Sequence, residues 1–261
     1  MTDILLTNDD GYESAGFYPL LKELSKEYSV VAITPDKERS WIGKAITSKD
    51  ILKINKVPLH DVDIYTLNGT PADCVQIGLF NILTSSPKMV VSGINQGVNI
   101  GHARILSSGT IGAAIEASIQ GAPALATSLM IPSELKKDLD LFDEKNYSIF
   151  ENAAKITAKI TRKLINKTFD DIDVFSMNIP YHATIHSKLK ITKPFRENYE
   201  GLFHKIDVGY MLQTPNLIFK ELSDGTDLKA LYEDEISLSP LTFDLSSDEA
   251  IKNLEEQITL A

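Results

Sequence analysis

The chain has 261 residues, of which 43% are hydrophobic and 24% charged, with a formal net charge of -10. The apolar content suffices for a sizeable core. The acidic balance argues against a nucleic-acid polymer as partner, because binding a phosphate backbone needs clustered Lys and Arg. The lone cysteine, Cys74, excludes an internal disulfide and reads as a buried, inert thiol.

In chain order, "DILLT" reads as a strand and "AGFYPLLKELSKEY" as a helix whose Phe17, Leu20, Leu21 and Leu24 share one face. "SVVAIT" is a second strand, ended by Pro35, and "DIYTL" a third. "PADCVQIGLFNIL" is a helix with Pro71 in its first turn. The strand "KMVVSGI", a Gly/Asn-rich loop, the helix "TIGAAIEASIQ" and the strand "PALATSL" follow, then a helix over roughly 145–167 and the strand "DVFSMNI". This alternation predicts an α/β, Rossmann-like, mostly parallel sheet flanked by helices, occupying residues 1–190. Beyond it the pattern changes: "KLKITKPF" and "NLIFKEL" read as strands, "TDLKALYEDEISLSPLTFDL" holds another, and "DEAIKNLEEQI" is a terminal helix. Residues 191–261 are therefore expected to form a C-terminal β/α arm packed with the core, no flexible linker being visible. "MTDILL" lacks a basic region followed by a long apolar one, and no apolar run reaches about 18 residues, so a cytoplasmic protein without a membrane partner is expected.

Ligands of open α/β sheets bind beyond the carboxyl ends of the strands, where strand order reverses. Four polar loops occupy such positions: "TNDDG", "TPDKERSWIGKA", "NGTPAD" and "SGINQGVNIGHARILSSGT". In the first, Asp9 and Asp10 stand side by side after Asn8. On the residues alone this is a polar turn, a phosphate-accepting aspartate, or half of a site for a hard cation that removes the carboxylates' repulsion. Ser40 ends a charged, glycine-punctuated segment suited to facing a ligand. The fourth loop is dense in glycine and asparagine, which favours close backbone approach to a ligand. Its "SSGT" opens a helix whose free N–H groups, with the hydroxyls of Ser108 and Thr110, form either an anion cradle or a simple Thr110 N-cap. No Walker A sequence and no dinucleotide fingerprint after the first strand is present. The five histidines show no zinc-helix spacing, though His102 lies in the glycine-rich loop. Trp41 and Phe203 read as packing residues before base-stacking ones.

Together, "LLTNDDGYESAG", "VAITPDKERSWIGKAIT", "NGTPADCV", "VVSGINQGVNIG", "SSGTIGAAIEA", "PALATSL" and "DEISLSPLTFDL" closely resemble, in order, the motifs of the SurE survival-protein family. The resemblance implies a metal-dependent phosphatase acting on nucleoside 5'-monophosphates, often 3'-monophosphates, and in some members polyphosphate. It also implies one Mg2+ or Mn2+ per subunit, and a homodimer or homotetramer formed through an exchanged C-terminal arm. Carried over by motif, the metal ligands are Asp9, Asp10, Ser40 and Asn95; of the carboxylates at the site, Asp9 is expected to orient or deprotonate the attacking water. Asn99, Ser108, Gly109 and Thr110 fall on the phosphate side, and Asn8, flanking the acid pair, offers a further oxygen donor or an amide contact to substrate. "GHARILSSGT" departs from the family pattern: it lacks an acid, carries His102 and Arg104, and is one residue longer, which offers Ser107 as a substitute for Ser108. A phosphoacceptor signalling domain is the weaker reading, since no acid ends "DIYTL". A haloacid-dehalogenase-type phosphatase needs Asp-x-Asp, because adjacent residues of an extended chain point to opposite sides. A non-catalytic metal- or nucleotide-binding protein is the further alternative.

Overall fold

A computed structural model describes residues 2–196, 201–212 and 222–258. The apolar runs become the middle of a sheet. β1 (Ile4–Thr7), β2 (Val30–Pro35), β4 (Val62–Leu67), β5 (Met89–Asn95), β6 (Ala124–Met130) and β7 (Val174–Pro180) lie in the order β4-β2-β1-β5-β6-β7, every neighbouring pair parallel. Strands buried on both faces need apolar residues at nearly every position, and β1, β5, β6 and β7 are buried along almost their whole length.

Helices cover both faces. α1 (Phe17–Leu24) and α6 (Tyr147–Leu164) pack on one side, where Phe17, Leu20, Leu24, Phe150 and Ile156 join Ile4, Leu6 and Val91. α2 (Pro71–Ile77) and α4 (Gly109–Ile119) cover the other, where Cys74, Val75, Ile111 and Ala114 meet Leu5, Ile33 and Val90. Each fully buried leucine or phenylalanine contributes about 1.5–3 kcal/mol. Cys74 is wholly buried and burial pushes its thiol well up, as expected of an inert residue. α2 starts at a capping box: Thr70 accepts from Asp73 N–H at 3.0 Å while the Asp73 carboxylate accepts from Thr70 N–H at 2.8 Å.

Three features depart from the sequence reading. β3 (Ile54–Leu59), which alternation did not single out, pairs antiparallel with β4 and extends the sheet edge; its residues are mostly exposed and give no apolar run. The stretch expected to be loop before α4 contains α3 (Gly101–Ser107), and α4's N-cap is Ser108 rather than Thr110: the Ser108 hydroxyl accepts from Ile111 N–H at 3.1 Å.

After β7 the chain adds β8 (Leu189–Ile191), a hairpin of β9 (Phe203–Ile206) and β10 (Gly209–Leu212), and α7 (Asp227–Tyr232). β11 (Ile236–Leu241) returns to the main sheet, antiparallel to β7 and parallel to β8. α8 (Asp248–Gln257) follows with no residue buried. The expected strand "NLIFKEL" lies, apart from Leu222, outside the described residues.

Candidate active site

β1 is central, and the chain leaves it through β2 and β4 on one side before returning to β5 on the other. The gap between β1 and β5 is thus the reversal point of strand order. Both strands end there in polar sequence, "NDDG" and "NQG". A cleft of about 210 Å3 opens at this rim and is lined by Asp9, Asp10, Ser40, Asn95, Asn99 and Ser108 from the sequence-derived set. Glu38, Trp41, Gln96, Arg104, Ser107 and Lys136 complete most of its wall.

Adjacent aspartates reach one cleft because the chain is not extended at that point. Asn8 is fully buried and clasps the turn: its Oδ1 accepts from Gly11 N–H at 3.1 Å and its Nδ2 donates to Gly11 O at 2.7 Å. Gly11 takes φ +87°, a conformation open to glycine. Asn8 is not among the residues that line the cleft, and both ends of its amide are committed to the turn that aims Asp9 and Asp10.

The start of α4 is occupied in an unexpected way. Thr110 Oγ1 donates to Asp9 Oδ1 at 2.6 Å, and Thr110 is fully buried. Gly109 packs directly on Asp9, so close that a Cβ there would lie 2.8 Å from Asp9 Cβ. The anion at this helix N-terminus is the Asp9 carboxylate itself. Ser108 lines the cleft, while Gly109 and Thr110 touch it through Asp9. The loop after β2 is drawn in by Arg39 N–H donating to Asp9 O at 2.7 Å, and the Ser40 hydroxyl donates to the Glu38 carboxylate. Asn95 Nδ2 donates to Gly97 O at 2.9 Å, which turns its Oδ1 to the acceptor role. Asn99 is held from β6 and β7: its Nδ2 donates to Ser128 Oγ at 3.0 Å, and its N–H donates to Asn178 Oδ1 at 2.8 Å. His102 is drawn away from the cleft, its Nδ1 2.8 Å from Phe195 O.

Burial dominates the electrostatics. It pushes the Asp9 carboxyl up to about 6, against the Thr110 hydroxyl and the N–H groups of Asp9 and Thr110, with the Glu38 charge adding to the rise. Asp10 is raised well above the carboxylate range, by burial first and the Asp9 charge second; Gln96 N–H and Lys136 oppose the rise. Two buried carboxylates side by side are favoured in ionised form by positive charge placed next to them. Ser40 and Asn95 bring neutral oxygens to the same cleft, and an all-oxygen set suits a hard cation such as Mg2+ or Mn2+. Among the described residues no group of three or more His, Cys, Asp or Glu forms a metal site, so the set depends on these serine and asparagine oxygens.

Lys136 escaped sequence reading. It ends the short α5 (Ser133–Lys136) beyond β6, and its Nζ donates to Gln96 O at 2.5 Å. The signal was the strand-end rule itself, since "IPSELKKD" follows a predicted strand. Glu38 and Gln96 stood inside recognised loops without being singled out.

Comparison with known proteins shows the family to which this chain and fold belong. The family model described as survival protein SurE matches residues 4–201. The 5'-nucleotidase SurE of Methanocaldococcus jannaschii is 39% identical over 264 residues, covering 97% of this chain and 95% of that protein. The 5'-nucleotidase SurE of Thermoanaerobacter sp. (strain X514) is 36% identical over 252 residues, covering 93% of each. The crystal structure of the SurE protein from Aquifex aeolicus superposes with a TM-score of 0.80 at 30% identity, covering 98% of this chain and 99% of that one. With the motifs in order, the same fold and near-complete coverage, this chain belongs to the SurE family.

Proposed function

We propose that the protein is a metal-dependent phosphatase that hydrolyses nucleoside 5'-monophosphates to nucleoside and phosphate. One observation carries the reading: a buried acid pair at the reversal point of the sheet faces a cleft that also holds Ser40, Asn95 and Lys136. The 5'-nucleotidase names of its relatives supply the substrate class.

Asp9, Asp10, Ser40 and Asn95 would hold one Mg2+ or Mn2+. When bound, that ion lowers the pKa of water and neutralises phosphate charge. The chain's own contribution is positional. Thr110 fixes the Asp9 carboxylate so that it orients the attacking water and accepts its proton. Lys136, Asn99 and Ser108 face the phosphate oxygens, where charge gathers during phosphoryl transfer. The lining acids Asp9, Asp10 and Glu38 outnumber Arg104 and Lys136 by one; a divalent ion reverses that sign and makes the cleft attractive to a phosphate dianion.

Residues 191–261 act as the oligomerisation arm of a homodimer or homotetramer on the 1–190 core. Support comes from the exposed Phe203, Val208, Tyr210 and Met211 at the β9-β10 hairpin and Ile251 and Leu254 on α8. Cytoplasmic location completes the reading; no helix among the described residues is long and apolar enough to cross a membrane.

The test is inorganic phosphate released from a panel of 5'- and 3'-nucleoside monophosphates and polyphosphate, with EDTA and with Mn2+ or Mg2+ restored. Release from 5'-monophosphates that EDTA abolishes, and that Asp9→Asn abolishes without loss of fold, supports the reading. Binding without release would make the protein a nucleotide-binding one.

A further inference from the structure

The chain's only tryptophan stands at this cleft. Trp41 follows Ser40 directly, lines the cleft, and is 42% exposed, so packing in the core does not account for it. Its backbone lies at φ 60°, in the left-handed region where a bulky side chain is an outlier. None of the aromatic ring pairs among the described residues includes it. Local preference, burial and a ring partner therefore all fail to account for an indole in this place.

The rest of the wall sharpens the point. Carboxylates, amides, hydroxyls and two cations line the cleft, and only Trp41 and Val98 present sizeable apolar side chains. Phosphate and ribose are matched by the polar groups. A nucleobase has two apolar faces, which need a flat apolar surface to leave water, and an indole supplies the widest such surface of any side chain.

We propose that Trp41 is the platform on which the substrate's base stacks, so that the site prefers phosphomonoesters carrying a nucleobase. The proposal rests on the phosphatase reading above and names a specificity-determining residue for it. Stacking reads a π-face rather than hydrogen-bond edges, so the preference is for a base over none, with purines ahead of pyrimidines and little further discrimination.

As the single tryptophan, Trp41 reports on itself. Adenosine, which carries no phosphate to lose, should quench the intrinsic fluorescence of the wild-type protein, whereas ribose 5-phosphate should not. Trp41→Gly accepts the left-handed backbone without a ring; it should lower kcat/KM for AMP relative to ribose 5-phosphate by about 10- to 100-fold, mainly through KM. Trp41→Phe should keep most of the preference, and Trp41→Leu, apolar but without a π-face, should lose it. Mn2+ binding, measured directly, should match wild type in the Phe and Leu variants, showing the Ser40 loop in place. Equal losses for AMP and ribose 5-phosphate, a Leu variant as selective as Phe, or no quenching by adenosine would overturn the stacking role. Absence of phosphate release from every substrate would instead overturn the phosphatase reading, and adenosine quenching would still decide the role of Trp41.

Discussion

Gly109→Ala sets two rules of protein chemistry against each other. Gly109 is the first residue of α4, and alanine is favoured over glycine within helices by up to about 1 kcal/mol. Tertiary structure opposes the change. The added Cβ would lie 2.8 Å from Asp9 Cβ, 2.9 Å from Asp9 Oδ2 and 3.2 Å from Arg39 O. Carbon atoms settle at about 3.5–4.0 Å, so the gap is short by nearly 1 Å. The Arg39 carbonyl belongs to backbone tied to Asp9 by the 2.7 Å bond from Arg39 N–H, so neither neighbour withdraws freely. Overpacking of this kind costs about 1–3 kcal/mol and exceeds the propensity gain. The expected net loss of about 1–2 kcal/mol lowers Tm by roughly 2–4 °C per kcal/mol in a chain of this size. Activity should suffer more, because moving a reacting group by about 1 Å costs on the order of 100-fold. Calorimetry and kcat/KM for AMP at saturating Mn2+ check both effects. A variant with raised Tm and undiminished kcat/KM would refute the claim that Gly109 positions Asp9.

Thr110→Val removes the 2.6 Å bond to Asp9 Oδ1 at nearly constant volume. A hydrogen bond to a charged acceptor is worth about 1.5–3 kcal/mol, so kcat/KM should fall roughly 10- to 100-fold and the acid limb of the pH–rate profile should move upward. Asp9→Asn should alter the pH dependence of stability in EDTA. Because Asp9 is raised from 3.8 to about 6, the folded chain holds a proton between those values that the unfolded chain has released. This contribution to stability is present at low pH and lost as pH rises through that window. The variant should therefore melt above wild type near neutral pH, with the gap closing toward the ordinary carboxylate range; a gap independent of pH would contradict this. Lys136→Met should raise KM for AMP and ribose 5-phosphate alike and weaken its dependence on salt, whereas unchanged KM would remove Lys136 from the phosphate side. Mn2+ should raise Tm of the wild type, by about 2.7 kcal/mol of stability at a hundredfold excess over Kd, and barely affect Asp10→Asn.

Much of the fold was legible because parallel strands buried on both faces demand uninterrupted apolar runs, and "DILLT", "KMVVSGI", "PALATSL" and "DVFSMNI" supply them. β3 was not, since an exposed edge strand carries no such pattern. α3 hid behind glycines and asparagines that end at its first residue, Gly101.

By itself the sequence determined which oxygens stand at strand ends: Asp9, Asp10, Ser40 and Asn95 are fixed to those loops by local pattern. The tertiary structure alone decided which polar residues face the cleft and which hold others in place. Asn8 and Thr110 look equal to their neighbours as donors, yet one closes a turn and the other orients Asp9. Lys136 and Trp41 gain their position from contacts between segments far apart in the chain. Strand order and the packing of helices on two faces bring those segments together, and both depend on long-range burial that no local spacing encodes.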